Sequence, residues 1–226
     1  MLEYDMTREA VQDTHVAHPE TPKVREIVIR RFGDLVKVNV LFVVACLPIV
    51  TIPVAMCAAT GVLRLLLDGR VVFIWHDFAT FWKKYWRCSL IAGLPGMAVT
   101  GVGILGAWFY LQMDSSVGIV LSGICGAVVV CTLASHIYLY PMMEMTKFDT
   151  RTLWHNSLTL VPLNLKDTVV VLLLDIVILG GGLLLLPYSF FVLPLFGLSL
   201  MGLFGTDCAT KAIRRFVIQD DSRQEL

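Results

Sequence analysis

The sequence predicts an all-α fold, a polytopic membrane bundle of three helical hairpins with amphipathic cytoplasmic helices. Hydrophobic residues make up 57% of the 226 residues and charged residues only 16%, whereas soluble domains are about half apolar and a quarter charged. The apolar residues are gathered into long runs, and the basic residues are confined to the segments between those runs. The lipid bilayer is therefore the predicted partner of the excess apolar surface.

The start of the chain is polar and differs from the apolar region after it. Residues 1–22 are predicted to be a disordered N-terminal segment, without the pattern of a signal peptide. The membrane domain is predicted over residues 23–210 and a cytoplasmic tail over residues 211–226. Within residues 23–37 apolar side chains recur at helical spacing, which predicts an amphipathic helix on the membrane surface that leads into the bilayer.

The first apolar run, Val38–Leu67, has 30 residues and contains one charged residue, Arg64. A single straight span needs only about 20 residues. The two prolines of the Leu47–Pro53 segment disfavour a continuous helix. The run therefore predicts a proline-broken hairpin of two short helices, about 38–47 and 54–67. The sequence leaves open whether this hairpin crosses the bilayer fully or re-enters.

An aromatic and basic segment, residues 77–87, comes before the next apolar run. Asp77 is predicted to cap the N-terminus of a helix. Aromatic side chains interleaved with lysine and arginine are typical of a membrane interface. The predicted interface anchors are Phe78, Phe81, Trp82, Lys83, Lys84, Trp86 and Arg87.

Four longer spans complete the predicted bundle. They are Cys88–Leu111, Val117–Tyr140, Val169–Leu186 and Phe190–Phe204. The link between the first two is short, so they are predicted to form an antiparallel hairpin, and Pro187 separates the last two. A second amphipathic stretch, around Thr152–Leu165, precedes the last hairpin.

The distribution of basic residues predicts the topology. All 18 lysines and arginines lie outside the three predicted turns at residues 48–53, 112–116 and 187–189. Because short cytoplasmic loops carry the excess of lysine and arginine, the basic segments and both termini are expected in the cytoplasm. This arrangement requires the Val38–Leu67 run to enter and leave the bilayer on the same side.

Two ionisable side chains within the predicted spans are candidates for contact with a substrate. Asp175 lies about 10 Å along its span, where an ionised carboxylate is expensive and marks a functional hypothesis. His136 lies about one turn inside the cytoplasmic end of its own span and is a candidate for proton transfer or for pairing with Asp175. The alternative for each residue is a hydrogen bond that fixes the bundle.

Small residues at helical spacing, such as Gly103 with Ala107 and Ser122 with Gly126, allow helices to approach closely. They predict close internal packing, with a homo-oligomer as the alternative. The zero net charge gives no field that would attract nucleic acid. The sequence contains no Walker A, HExxH or GxSxG motif and no CxxC pair, so we expect no enzyme activity, catalytic residue, cofactor or metal site.

A more specific signal starts at Asn39 and continues through Leu47-Pro-Ile-Val-Thr-Ile-Pro-Val-Ala55. This segment resembles the "N…LPIVTIG.A" signature of the YesL-like family of bacterial membrane proteins, a domain of unknown function. Asp77-Phe78 and Phe81–Lys84 resemble the acidic and aromatic segment that follows in that family. The resemblance covers about residues 24–210, and the sequence departs from it at Pro53, where the family usually has glycine.

The resemblance implies a location in the bacterial cell membrane and an accessory role in carbohydrate uptake, since genes of the family often lie beside carbohydrate ABC transporters. We therefore expect a non-enzymatic subunit that binds such a transporter or another membrane protein. The alternative is a small secondary transporter or channel that uses Asp175 and His136. Asn39 and Thr51, in the segment of the signature, are further candidates for contact with a substrate or partner.

Overall fold

The computed structural model describes residues 24–113, 115–146, 149–184 and 197–218, and every regular element in these residues is helical. The predicted disordered segment 1–22, Pro187 and the first part of the predicted span Phe190–Phe204 lie outside the described residues. The α-helices are α1 Val24–Arg30, α2 Phe32–Ala45, α3 Ile52–Leu67, α4 Ile74–Leu111, α5 Ser116–Met145, α6 Thr150–Leu163, α7 Leu165–Leu184 and α8 Leu198–Ile213.

The all-α prediction is confirmed for the described residues. Among the described residues, three stretches are long and apolar enough to cross a membrane, judged by length and composition: Ile49–Leu67, Ile74–Leu111 and Ser116–Met145. The last two include the predicted spans Cys88–Leu111 and Val117–Tyr140. The chain is thus consistent with a membrane protein.

The first apolar run is divided between α2 and α3, with a 3₁₀ turn over Ile49–Thr51 before α3. Pro53 does not interrupt a helix. It lies in the first turn of α3, where a backbone N–H would have no partner within the helix. The missing N–H group of proline therefore costs no hydrogen bond at this position. The segment before this run bends at Arg31, so the single amphipathic helix expected over residues 23–37 is replaced by α1 and the first part of α2.

The aromatic and basic segment is the first part of α4, a helix of 38 residues that continues through the whole of the next apolar run. The helix starts at Ile74, so the expectation that Asp77 is the capping residue is wrong. Asp77 instead accepts a hydrogen bond from the backbone N–H of Phe73 at 2.9 Å, one turn earlier in the chain. The carboxylate therefore still accepts from a backbone N–H at the helix start.

Helices α4 and α5 pack against each other in antiparallel register. The hydroxyl of Ser122 donates to the carbonyl of Ala107 at 3.0 Å across this interface. A Cβ at Gly103 would lie 2.6 Å from Val129 Cγ2, so the absent side chain allows the helices to approach. Gly103 thus serves internal packing, as the sequence predicts, whereas a Cβ at Gly126 would have no heavy atom within 4 Å.

One end of the bundle is rich in polar contacts. The guanidinium of Arg31 donates to the carbonyl of Arg70 at 3.1 Å, and Arg214 forms an ion pair with Asp68 at 2.9 Å. We call this end, defined by Arg31, Asp68, Arg70 and Arg214, the basic end. The opposite end, at the link between α4 and α5 near Gln112, is called the far end.

The last described helix extends beyond its predicted limit. The predicted span ends at Phe204, but α8 continues to Ile213 and is followed by a π-helical turn over Arg214–Ile218. Ala212 and Ile213 are buried in the core. The first residues of the predicted cytoplasmic tail are therefore packed against the bundle at the basic end.

Candidate functional site

A cavity of about 380 Å³ lies between α2, α3, α5, α7 and α8. Its wall is largely hydrocarbon, and among its polar members are Thr60, His136, Asp175, Ser199 and Thr206. The two ionisable candidates from the sequence, on α5 and α7, thus line one cavity. Its size is within the range of small-molecule sites, which are mostly apolar with a few polar groups.

Asp175 is half-buried on α7, and its Oδ1 atom is buried with no hydrogen-bond partner among the described residues. A carboxylate in an apolar wall is costly unless a donor or a cation compensates it. Within the part of the chain that the structure describes, Oδ1 of Asp175 therefore lacks the hydrogen bond to a neighbouring helix that the structural interpretation of this residue requires.

His136 is held in a fixed orientation by its own helix and by α6. Its Nδ1 lies 2.7 Å from the carbonyl oxygen of Thr132, which can only accept, so Nδ1 carries the hydrogen. The ring of Trp154 meets the imidazole edge-on at a centroid distance of 5.5 Å. Nε2 of His136 is buried toward α4, where a Cβ at Gly96 would lie 2.6 Å from it and where the backbone of Gly93 interacts with the imidazole.

The serine and threonine hydroxyls of the cavity wall donate to backbone carbonyls. Ser199 donates to the carbonyl of Leu35 at 2.8 Å. Thr206 donates to its own helix at 2.6 Å, and Thr60 does so at 2.7 Å. The carboxylate of Asp175 is therefore an acceptor in this wall that a ligand with a donor group would satisfy.

The structure separates the other two candidate residues from this cavity. Asn39 on α2 is fully buried, with both amide atoms lacking a partner among the described residues, but it does not line the cavity. Thr51 donates to the carbonyls of Ala45 at 2.7 Å and Pro48 at 2.6 Å. Its hydroxyl therefore closes the turn between α2 and α3.

The predicted interface anchors divide into two groups. Phe78 is buried in a core cluster with α3, and Phe81 and Trp82 pack against the same cluster. Lys83, Lys84, Trp86 and Arg87 are exposed. The exposed group is the part of the segment that is free to meet lipid headgroups or a partner protein.

Sequence reasoning missed a buried ion pair between α3 and α5. Arg64 Nε lies 3.2 Å from Glu144 Oε2, and the side chain of Glu144 is completely buried. Gly61 makes room for it, because a Cβ there would lie 2.7 Å from Glu144 Oε1. The lone charge in the Val38–Leu67 run was the available signal, but Glu144 lies in a segment that hydropathy describes only as polar and mixed.

Metal coordination has no support in the described part of the chain, where no three histidine, cysteine, aspartate or glutamate side chains converge as possible ligands.

Comparison with known families shows what part of the chain is similar to. The family described as "Protein of unknown function, DUF624" matches residues 35–107. This region includes most of α2, the turn at Thr51, α3 and most of α4. No curated protein and no solved structure shows a significant match to the chain.

Proposed function

We propose that the chain is a small, non-enzymatic membrane carrier that binds an amphiphile with a primary ammonium group in the cavity lined by Asp175 and His136. The observation that supports this proposal is the buried, unpartnered carboxyl oxygen of Asp175 in an apolar wall. An ammonium group has three donors and a positive charge, and it would satisfy the carboxylate of Asp175.

The composition of the wall indicates the kind of body that this ligand has. A sugar carries many hydroxyls, which would lose their hydrogen bonds to water without replacement in a wall made largely of hydrocarbon. An alkyl chain loses nothing there and gains from leaving water. The cavity therefore favours an amphiphile over a free sugar.

Photolabelling tests this proposal directly. The protein is placed in lipid nanodiscs and exposed to dodecylamine with a diazirine in its chain, and labelled peptides are identified by mass spectrometry. We expect labels on the cavity wall, displaced by excess dodecylamine. The substitution Asp175→Asn should weaken labelling at least about tenfold, because a charged hydrogen bond contributes about 1.5–3 kcal/mol.

Asp34→Asn is the matched control, since Asp34 is a carboxylate at the start of α2 that lies outside the cavity. It should leave labelling unchanged. Equal labelling of the wild type and Asp175→Asn would overturn the proposal, as would labels found only outside the cavity wall.

The second candidate function is an accessory subunit that binds another membrane protein and is linked to carbohydrate uptake. The exposed group of Lys83, Lys84, Trp86 and Arg87 favours it. Lys84 lies 5.0 Å from the ring centroid of Tyr85, and Arg87 lies 5.3 Å from that of Trp86. This cationic and aromatic surface suits an acidic partner surface or anionic lipid.

Purification with quantitative mass spectrometry distinguishes these two partners. If the surface binds a protein, the triple substitution of Lys83, Lys84 and Arg87 by glutamine should remove a transporter subunit from the purified material. Repeated recovery of the wild-type chain with lipid alone would contradict the accessory function. The carrier proposal does not depend on this outcome.

Location and orientation are part of the same proposal. We place the chain in the bacterial plasma membrane with its basic end and both termini in the cytoplasm. The grouping of Arg31, Arg70 and Arg214 at one end supports this orientation, because basic residues are retained on the cytoplasmic side.

A further inference from the structure

We propose that α2 and α3 form a re-entrant hairpin whose turn, residues 46–51, lies within the hydrocarbon of the bilayer and contacts lipid acyl chains. The chain would enter the membrane from the basic end, turn before reaching the far surface and return to the basic end. The proposal concerns an interaction surface with lipid and is independent of the cavity and its ligand.

The contact between Pro53 and Gly93 fixes the depth of the turn along α4. A Cβ at Gly93 would collide with the ring of Pro53, so the start of α3 lies directly against α4 at this residue. Helix α4 continues for eighteen residues beyond Gly93 to Leu111, a length of about 27 Å at 1.5 Å per residue. The start of α3 is therefore far from the end of α4.

The turn is too short to reach from the start of α3 to the far end of α4. Pro53 lies six positions after Leu47, and even a fully extended chain of that length spans only about 20 Å. The observed turn is compact, because the hydroxyl of Thr51 donates to the carbonyls of Ala45 and Pro48. Its tip therefore ends well short of the far end of the bundle.

Both ends of the hairpin are held together at the basic end. Arg31, just before α2, donates to the carbonyl of Arg70, just after α3. Leu35 and Val38 of α2 belong to the same buried cluster as Leu63 and Leu66 of α3. The chain thus leaves the hairpin on the side from which it came.

The side chains of the tip suit hydrocarbon rather than water. Leu47, Ile49 and Val50 are 78%, 72% and 58% exposed. No charged residue lies between Val38 and Arg64. An exposed apolar tip of this kind would be costly in water and is favourable against acyl chains.

Part of the backbone of the tip is satisfied within the turn, which lowers the cost of placing it at membrane depth. The N–H groups of Cys46, Leu47 and Thr51 donate to carbonyls earlier in the chain. Pro48 and Pro53 have no N–H group at all. The hydroxyl of Thr51 shares its one hydrogen between the carbonyls of Ala45 and Pro48, and the carbonyl of Pro48 also accepts from the N–H of Thr51.

Fluorine NMR tests the depth without removing any native cysteine. Trifluoromethyl-phenylalanine is introduced singly at Val50, at Gln112 and at Val71, and the protein is studied in nanodiscs. Dissolved oxygen relaxes nuclei in hydrocarbon, and a gadolinium chelate relaxes nuclei near water. Gln112 marks the far end of α4, and Val71 marks the segment after α3 at the basic end.

We expect oxygen to relax the label at Val50 at least about fivefold more strongly than the gadolinium chelate does, with the reverse preference at Gln112 and Val71. A gadolinium response at Val50 equal to that at Gln112 would overturn the proposal, because a fully crossing hairpin places its turn at the far surface. Leu47, the most exposed residue of the tip, serves as a second site if the Val50 variant does not fold.

Discussion

The most apolar 18-residue windows of two stretches, Ile49–Leu67 with α3 and Ile74–Leu111 with α4, have almost the same mean hydropathy, yet the surroundings of their side chains differ. The window in Ile49–Leu67 has a mean hydropathy of 1.9, and 61% of it is buried inside the protein. The window in Ile74–Leu111 has a mean hydropathy of 1.8, but only 28% of it is buried. For the window in α5 the buried share is 22%. Protein therefore covers most of the apolar window of α3 and leaves most of the windows of α4 and α5 uncovered.

This difference shows that a high hydropathy indicates a segment that avoids water. It does not indicate whether protein or lipid surrounds that segment. The apolar residues of α3 meet α2, α4 and α8 in a packed core, in the manner of a soluble domain. Those of α4 and α5 toward the far end, such as Leu105 and Val120, face outward. Substitutions in the two regions should therefore have unequal effects, and four comparisons test this.

The largest effect is expected for Arg64→Met. This change leaves the buried carboxylate of Glu144 without its partner, which typically costs about 3–5 kcal/mol. Thermal and denaturant unfolding in detergent measure the loss. The double variant Arg64→Met/Glu144→Met should recover most of it, because no uncompensated charge then remains.

The control for the buried pair is the exposed pair Lys211–Asp207, whose lysine side chain is 74% exposed. Lys211→Met should change the unfolding free energy by less than about 1 kcal/mol. Equal losses for Arg64→Met and Lys211→Met would show that the α3–α5 contact is not a buried one.

The next comparison uses leucine in both regions. Leu66 on α3 is fully buried, and Leu66→Ala should cost about 2–5 kcal/mol through lost burial and a cavity. Leu105 on α4 is 65% exposed, and Leu105→Ala should cost less than about 1 kcal/mol because lipid fills the space. Unfolding of both variants in one detergent measures the difference, and a reversed order would contradict the assignment of the two environments.

A pair of glycines on α4 gives an intermediate effect. Gly93→Ala places a methyl group against Pro53 and should destabilise the protein by about 1–3 kcal/mol. Gly101 has no heavy atom within 4 Å of a Cβ position, so Gly101→Ala should be neutral or stabilise by up to about 1 kcal/mol through helix propensity. Melting temperatures of the two variants check this, and a destabilised Gly101→Ala would reveal an unseen neighbour of α4.

The smallest effect is expected for Ser122→Ala between α4 and α5. It removes the hydrogen bond to the carbonyl of Ala107, and such bonds inside membranes contribute on average about 0.6 kcal/mol. Thr100 has a buried hydroxyl without a partner among the described residues, so Thr100→Val should be neutral or slightly stabilising. A larger loss for Thr100→Val than for Ser122→Ala would mean that Thr100 has a partner in the membrane.

The sequence predicts the long helices well, because charge-free runs longer than 20 residues have few alternatives to a helix that spans the bilayer. It also indicates an interruption near Pro48, since proline removes a backbone donor. It did not locate the bend at Arg31 or the start of α4 at Ile74, because single caps and bends depend on tertiary contacts that override local signals.

The sequence names candidate residues but not their arrangement, and the role of these residues in a site stays a prediction. An ionisable residue in an apolar run is conspicuous, so Asp175 and His136 are found readily. Hydropathy does not indicate which faces of the helices meet. The structure was therefore needed to show that Asp175 and His136 line the same cavity. Glu144 escaped notice because it lies just past the predicted end of its span.

Labelling from the lipid phase tests the central claim, that protein surrounds α3 and lipid surrounds α4 and α5. A small apolar diazirine dissolved in the bilayer is activated by light, and modified residues are mapped by mass spectrometry. We expect labelling per residue across Val102–Leu111 and Val117–Val128 to exceed that across Val54–Leu67 at least about fivefold. Equal labelling of the three stretches would contradict the claim, because α3 would then face lipid as a conventional transmembrane span.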